Sequence, residues 1–346
     1  MSVVEDQHAE RFGEASVRYC LRIVAIAAFA VIAGQLIGLI YSGPTPDIIN
    51  SFVLLFAAAV VFSSLAAALG YVLWLALRGE GHPLSRMRMV VAGSRDALID
   101  RIVPTLAVFI FLGAFGSFKA MIPNVIPFWA DSLLSNADRV LFGTDPWRIT
   151  HALIGPFGTR FLDIMYGVWF PAWGFTLVYF GCFAKLPEQR RFITAFLLVW
   201  IIEGIVLAAF LSSVGPCFLG LIHHPYAARY DMFPINAPEA ARSQAILAGA
   251  YLNHHVGIFE GISAMPSVHV GVSALLVMSA WKNRFWLAAA LLFWAAIMVA
   301  SVHLGWHYAA DGIVASLASA LIWYLVGKQS RDHRPLVRSG LRLGTA

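Results

Sequence analysis

The chain has 346 residues, 60% of them apolar and 12% charged, with a mean hydropathy of +0.75, which excludes an ordinary water-soluble domain. Its formal charge of +5 and pI near 9.2 invite an anionic partner, but basic residues of membrane proteins collect in cytoplasmic loops, so no nucleic-acid partner is read from the sum. Cys20, Cys182 and Cys217 are scattered and none lies in a CxxC, which excludes a disulfide framework or a thiolate metal site and leaves them as packing residues.

Runs of about 20 apolar residues predict transmembrane helices. About eight occur by this criterion: Val17–Tyr41, Phe52–Leu77, Ile102–Met121, Phe161–Ala184, Phe192–Ser213, Pro266–Trp281, Phe285–Val302 and Tyr308–Gly327. The first is too long for a signal peptide and is preceded by acidic residues, so it reads as a retained anchor. With the N-terminus inside, most Lys and Arg residues fall in the inner loops and the tail, while Lys119, Arg139, Arg148, Arg160, Arg229 and Arg242 fall outside. Both termini are therefore expected in the cytoplasm, with the long outer loops in the periplasm of a bacterial inner membrane or in a lumen. The expected fold is an all-α polytopic helical bundle, divided into a two-span extension (1–101), a six-helix core (102–327) and a basic tail (328–346).

Two external segments, Pro123–Arg160 and Val214–Met265, are far longer than a plain bundle requires, which marks them as site-forming. The first carries turn signals at Ile122-Pro123, Asp145-Pro146 and Gly155-Pro156 and an amphipathic stretch over Trp129–Phe142. The second is rich in His, Tyr and Arg and contains a helix-like run over Glu239–Tyr251.

The chemistry-bearing residues gather near the outer ends of the last three spans. Pro266-Ser267-Val268-His269 opens one span, and His307-Tyr308-Ala309-Ala310-Asp311 opens another, with a spacing that predicts His307 and Asp311 on one helix face. A carboxylate holding one ring nitrogen fixes the imidazole tautomer and frees the other nitrogen as a nucleophile, while a second histidine, His269, can protonate a leaving oxygen. An acid inside a span is costly and has a partner or a task, whereas His223, His224, His254, His255 and His303 each read singly as hydrogen-bonded interface residues. Glu203, central in the fifth span, reads equally as packing glue or as functional. A rival zinc reading takes His303 and His307 as an HxxxH pair completed by His269 or Asp311, although Gly305 interrupts it. A non-enzymatic rival is a transporter with a His/Asp relay, against which stand the one-sided placement of these residues and the lack of an internal repeat.

Gly261–His269 followed by His307–Asp311 resembles the type 2 phosphatidic acid phosphatase superfamily, and more closely its lipid phosphotransferase branch, which includes inositol phosphorylceramide synthase and sphingomyelin synthase. Ser213–Pro216 and Ala137–Gly143 look like bacterial members of that branch, and the likeness spans Ile102–Gly327. It implies that His307 attacks phosphorus to form a phosphohistidine, that Asp311 orients it, that His269 protonates the leaving group, and that no metal or other cofactor takes part. It further implies a phospholipid, sphingolipid or polyprenyl phosphate substrate and, for a transferase, a lipid or polyol hydroxyl acceptor; a lipid phosphatase is the alternative. The phosphatase branch carries Lys and Arg where this chain has Ser213 to Gly215 and Ser301, so phosphate binding is expected from among Arg229, Arg242, Arg139, Arg148 and Lys119, with the backbone near Gly215, Pro216 and Ser267, although each arginine taken singly reads as an interfacial anchor.

Overall fold

A long apolar run can cross hydrocarbon only if its backbone amides and carbonyls are paired within the segment, which a helix achieves by itself. The computed structural model describes residues 3–41, 69–87, 95–231, 236–253 and 261–332, and among them every regular element is helical. The long helices are α1 (Val3–Tyr41), α2 (Arg95–Val125), α5 (Pro156–Val178), α6 (Leu186–Ile201), α9 (Arg284–His303) and α10 (Ala309–Asp332). Short helices α3 (Asp131–Phe142) and α4 (Pro146–Leu153) follow α2, α7 (Pro238–Leu252) lies in the second outer segment, and α8 (Val268–Ala280) precedes α9. The protein is an all-α polytopic membrane bundle, and among the described residues six helices have the length and apolarity to cross a membrane. Most of the predicted second span, and the tail from residue 333, lie outside the described residues.

Helix α8 occupies the centre, packed against α5, α6, α9 and α10, while α1 runs along α2. Its 13 residues span about 20 Å, well short of the roughly 30 Å hydrocarbon core. The missing length is supplied by 261–267, a non-helical stretch in which Ile262, Ala264, Met265 and Ser267 are all buried. Buried non-helical backbone needs partners for its donors, and here Ala264 N–H donates to Ser213 O (3.0 Å), Met265 N–H to Ser213 Oγ (3.0 Å) and Ser267 N–H to Asp311 O (3.4 Å).

At the opposite end of the bundle Arg101 donates to Ala184 O (2.5 Å), Arg191 stacks over Trp323 (3.8 Å) and Lys282 pairs with Glu188 (2.6 Å). Ser16 of α1 bridges Asp100 and Arg190 there, tying the first helix to the core.

Candidate active site

Ser267 caps α8, its Oγ accepting the Val270 N–H (3.5 Å), so His269 is the second residue of that helix and sits below the bundle surface. Its ring stacks on Tyr166 (centroids 4.5 Å, 12° between planes) and lies 4.0 Å from Trp169, whose indole N–H donates to the His269 carbonyl (2.9 Å). His307 comes from the other side. Helix α9 stops at His303, Gly305 turns the chain at φ 78°, and α10 begins only at Ala309, so His307 stands in the connecting turn and not on the helix face expected from its spacing. The pairing with Asp311 nonetheless forms: Asp311 Oδ2 reaches back to His307 Nδ1 (3.4 Å) and accepts the Tyr308 N–H (3.1 Å). The two imidazole centroids are 6.3 Å apart.

Both rings line one cavity of 420 Å³ with Phe115, Phe170, Trp200, Leu247, Pro266 and Trp306 around them. Burial first, and then the positive charge of Lys119, which lines the same cavity, pushes the His307 imidazole down to about 3. An uncharged ring with a carboxylate at Nδ1 carries its lone pair on Nε2 when Nδ1 holds the proton, which is the form a nucleophile needs.

A family model described as the PAP2 superfamily matches residues 133–326, more than half of the chain. The chain belongs to that superfamily. Membership places it among lipid phosphatase and phosphotransferase-type membrane proteins. Searches of curated proteins and of solved structures found no match.

Within this PAP2 chain three buried aspartates hold the site together, none of them among the residues expected from the sequence to form it. Asp131 of α3 accepts the Val214 N–H (2.9 Å), the Gly215 N–H (3.0 Å) and the Tyr308 hydroxyl (3.0 Å), binding the Gly-Pro turn to the residue after His307. Asp138, about two turns further along the same face of α3, accepts the Ala309 (2.9 Å) and Ala310 (2.8 Å) N–H groups and thereby caps α10. Burial pushes the Asp138 carboxyl up to about 6, against the two amides that favour its charged form. Asp163 of α5 accepts the Glu239 (3.1 Å) and Ala240 (2.8 Å) N–H groups, capping α7 in the same way. A signal for Asp138 was present, since Ala137–Gly143 is one of the stretches resembling the superfamily; nothing local marks Asp131 or Asp163 as caps for segments far away in the chain.

The remaining expected site residues separate into two groups. Gly215, at φ 90°, packs so tightly that an added Cβ would lie 2.8 Å from Trp306 O, so its turn with Pro216 is fitted directly under the His307 segment. Arg139 (3.5 Å), Arg148 (3.5 Å) and Arg229 (2.6 Å) instead converge on the carboxylate of Asp145, and Arg242 is exposed on α7; none of the four lines the cavity that holds the histidines. Lys119 does line it.

Of the other histidines singled out in the sequence, two are hydrogen-bonded through their rings, His303 Nε2 meeting Thr159 Oγ1 (2.9 Å) and His224 Nε2 meeting Ser132 Oγ (3.2 Å). For His223 the bond is that of its backbone N–H to Gly220 O, and His254 and His255 lie outside the described residues. Because α9 ends at His303, the HxxxH spacing does not place His303 and His307 on a common helix. Glu203 is buried in a π-helical turn (Ile202–Leu207), where its Oε1 accepts the Ser319 hydroxyl (2.7 Å) and so links α6 to α10.

Proposed function

We propose that this PAP2 protein is a membrane lipid phosphotransferase that moves a phosphoryl or phosphoryl-headgroup unit through a phosphohistidine at His307. The supporting observation is the convergence of two imidazoles from distant segments across one cavity, 6.3 Å between centroids, with Asp311 at the Nδ1 of one of them.

In the first half-reaction the Nε2 lone pair of His307 forms the N–P bond as the P–O bond to the leaving group breaks, and His269 supplies the proton to the departing oxygen. Asp311 accepts the Nδ1 hydrogen bond throughout and stabilises the positive charge that develops on the ring. In the second half-reaction the acceptor hydroxyl gives its proton to His269, its oxygen bonds to phosphorus, and the N–P bond breaks. The same second step with water makes the protein a lipid phosphatase, so the acceptor alone separates the two activities. The apolar walls suit a lipid substrate, a phospholipid, sphingolipid or polyprenyl phosphate, with a lipid or polyol hydroxyl as acceptor; the proposed site faces the periplasm or lumen.

The test is to incubate the purified full-length protein in lipid nanodiscs with phosphorus-labelled phospholipids and candidate hydroxyl acceptors. An acid-labile label on His307 is expected, and His307→Ala should lower turnover by about 10³-fold or more. Turnover within tenfold of the wild type in His307→Ala, with no trapped adduct, would sink the reading.

A further inference from the structure

We propose that Lys119 is the cation that anchors the phosphate group in this cavity. The inference rests on the reading that the cavity takes a phosphate ester, and it goes beyond that reading by assigning the charge that binds the ester.

Small, uncharged residues stand next to the two histidine segments, Ser213 accepting the Met265 N–H and Ser301 O the His307 N–H, so no cation comes from these positions. Nor does one come from the outer arginines. Three are drawn to Asp145, and Arg160 pairs with Asp163 (2.9 Å). Asp163 and Glu239, the other charged side chains lining the cavity, are acids, which leaves Lys119 as the one Lys or Arg among the described lining residues.

Its position is set by close packing. Gly261, first residue of the stretch that leads to His269, lies so near α2 that an added Cβ would stand 2.7 Å from the Lys119 carbonyl carbon. The lysine is thus planted where the His269 segment crosses α2, on the lining of the cavity that also holds His307. Among the described residues Lys119 has neither a hydrogen bond nor an ion pair. The two acids of the lining are engaged by Arg160, Asp163 at 2.9 Å and Glu239 at 4.0 Å, and a cation sharing a cavity with Phe115, Trp200 and Phe170 but pairing with neither acid is costly to keep. A bound phosphate oxygen would supply that counter-charge, and in the pentacoordinate transition state the ammonium would face the oxygens on which charge accumulates. The alternative is a lysine that merely snorkels to the membrane surface.

The experiment compares the wild type, Lys119→Met and Lys119→Arg, each full-length in nanodiscs. Binding of inorganic phosphate is followed by thermal shift, and kcat and KM are followed with the labelled lipid donor. Lys119→Met is expected to weaken phosphate binding at least tenfold and to lower kcat/KM by about 10²-fold, with Lys119→Arg recovering most of both. In the wild-type protein, phosphate should also slow modification of Lys119 by an amine-reactive reagent, a readout that needs no variant to fold. Unchanged labelling, or a Lys119→Met protein that binds phosphate and turns over within twofold of the wild type, would overturn the assignment while leaving His307-dependent transfer intact. Lys119-dependent phosphate binding in a protein that transfers nothing would support the anchor and remove the transferase reading instead.

Discussion

His307 gains its character from being held in a turn at the mouth of α10, buried and facing both a carboxylate and a lysine. Its folded pKa, pushed down to about 3, lies below the value of about 6.5 of an exposed histidine. A base whose folded pKa is depressed contributes stability that is complete above the unfolded value and is lost as pH falls below it, because the unfolded chain then binds the proton more readily. Between pH 7.5 and pH 5 this group alone should therefore cost the folded state roughly 2 kcal/mol. His307→Gln should remove that part of the acid destabilisation, which thermal unfolding of both proteins across the same pH range would measure; parallel curves would contradict it.

At the level of elements, buried carboxylates act as splints between a helix and a segment remote in sequence. Asp138 holds the first turn of α10, and that turn carries Asp311 and abuts His307, so the cap sets the position of the proposed catalytic pair without lining the cavity. Asp138→Ala should lower stability by about 2 kcal/mol, from the lost cap and the two amides left without an acceptor. It should also slow transfer by at least about tenfold, as expected when a reacting group shifts by a fraction of an ångström. Thermal unfolding together with single-turnover phosphohistidine formation tests both. A destabilised protein with an unaltered rate would show that α10 is positioned by something other than this cap.

For the whole molecule, alternation of chain direction puts the N-terminus of α8, the end of α9 and the start of α10 at one end of the bundle, with Arg101, Arg191, Lys282 and Arg284 at the other. Since basic loops stay in the cytoplasm, the cavity end should face away from it. A membrane-impermeant thiol reagent applied to intact cells should label Arg139→Cys and spare Arg284→Cys; the reverse pattern would invert the proposed orientation. Charge adds a selectivity. One lysine balances a singly charged phosphodiester, whereas a phosphomonoester dianion leaves a charge uncompensated in an apolar cavity. A diester lipid should therefore give the higher kcat/KM, and a marked preference for a monoester would contradict the charge balance.

The sequence by itself determined the solvent of this protein, its helical class and the pairing of His307 with Asp311, because each is written in local composition or short spacing, and its resemblance to the PAP2 superfamily is carried by short motifs. Apolar runs of membrane length admit one secondary structure, and a His four residues before an Asp brings the two within reach even though the helix starts between them. Only the tertiary structure decided which cation faces the histidines. Lys119, Arg139, Arg148, Arg229 and Arg242 look alike in sequence, but long side chains pair with whatever carboxylate the fold presents, and Asp145 collects three of them. The roles of Asp131, Asp138 and Asp163 were hidden for the same reason: each satisfies backbone amides from a segment 76 or more residues away, a relation that exists only once the helices are packed.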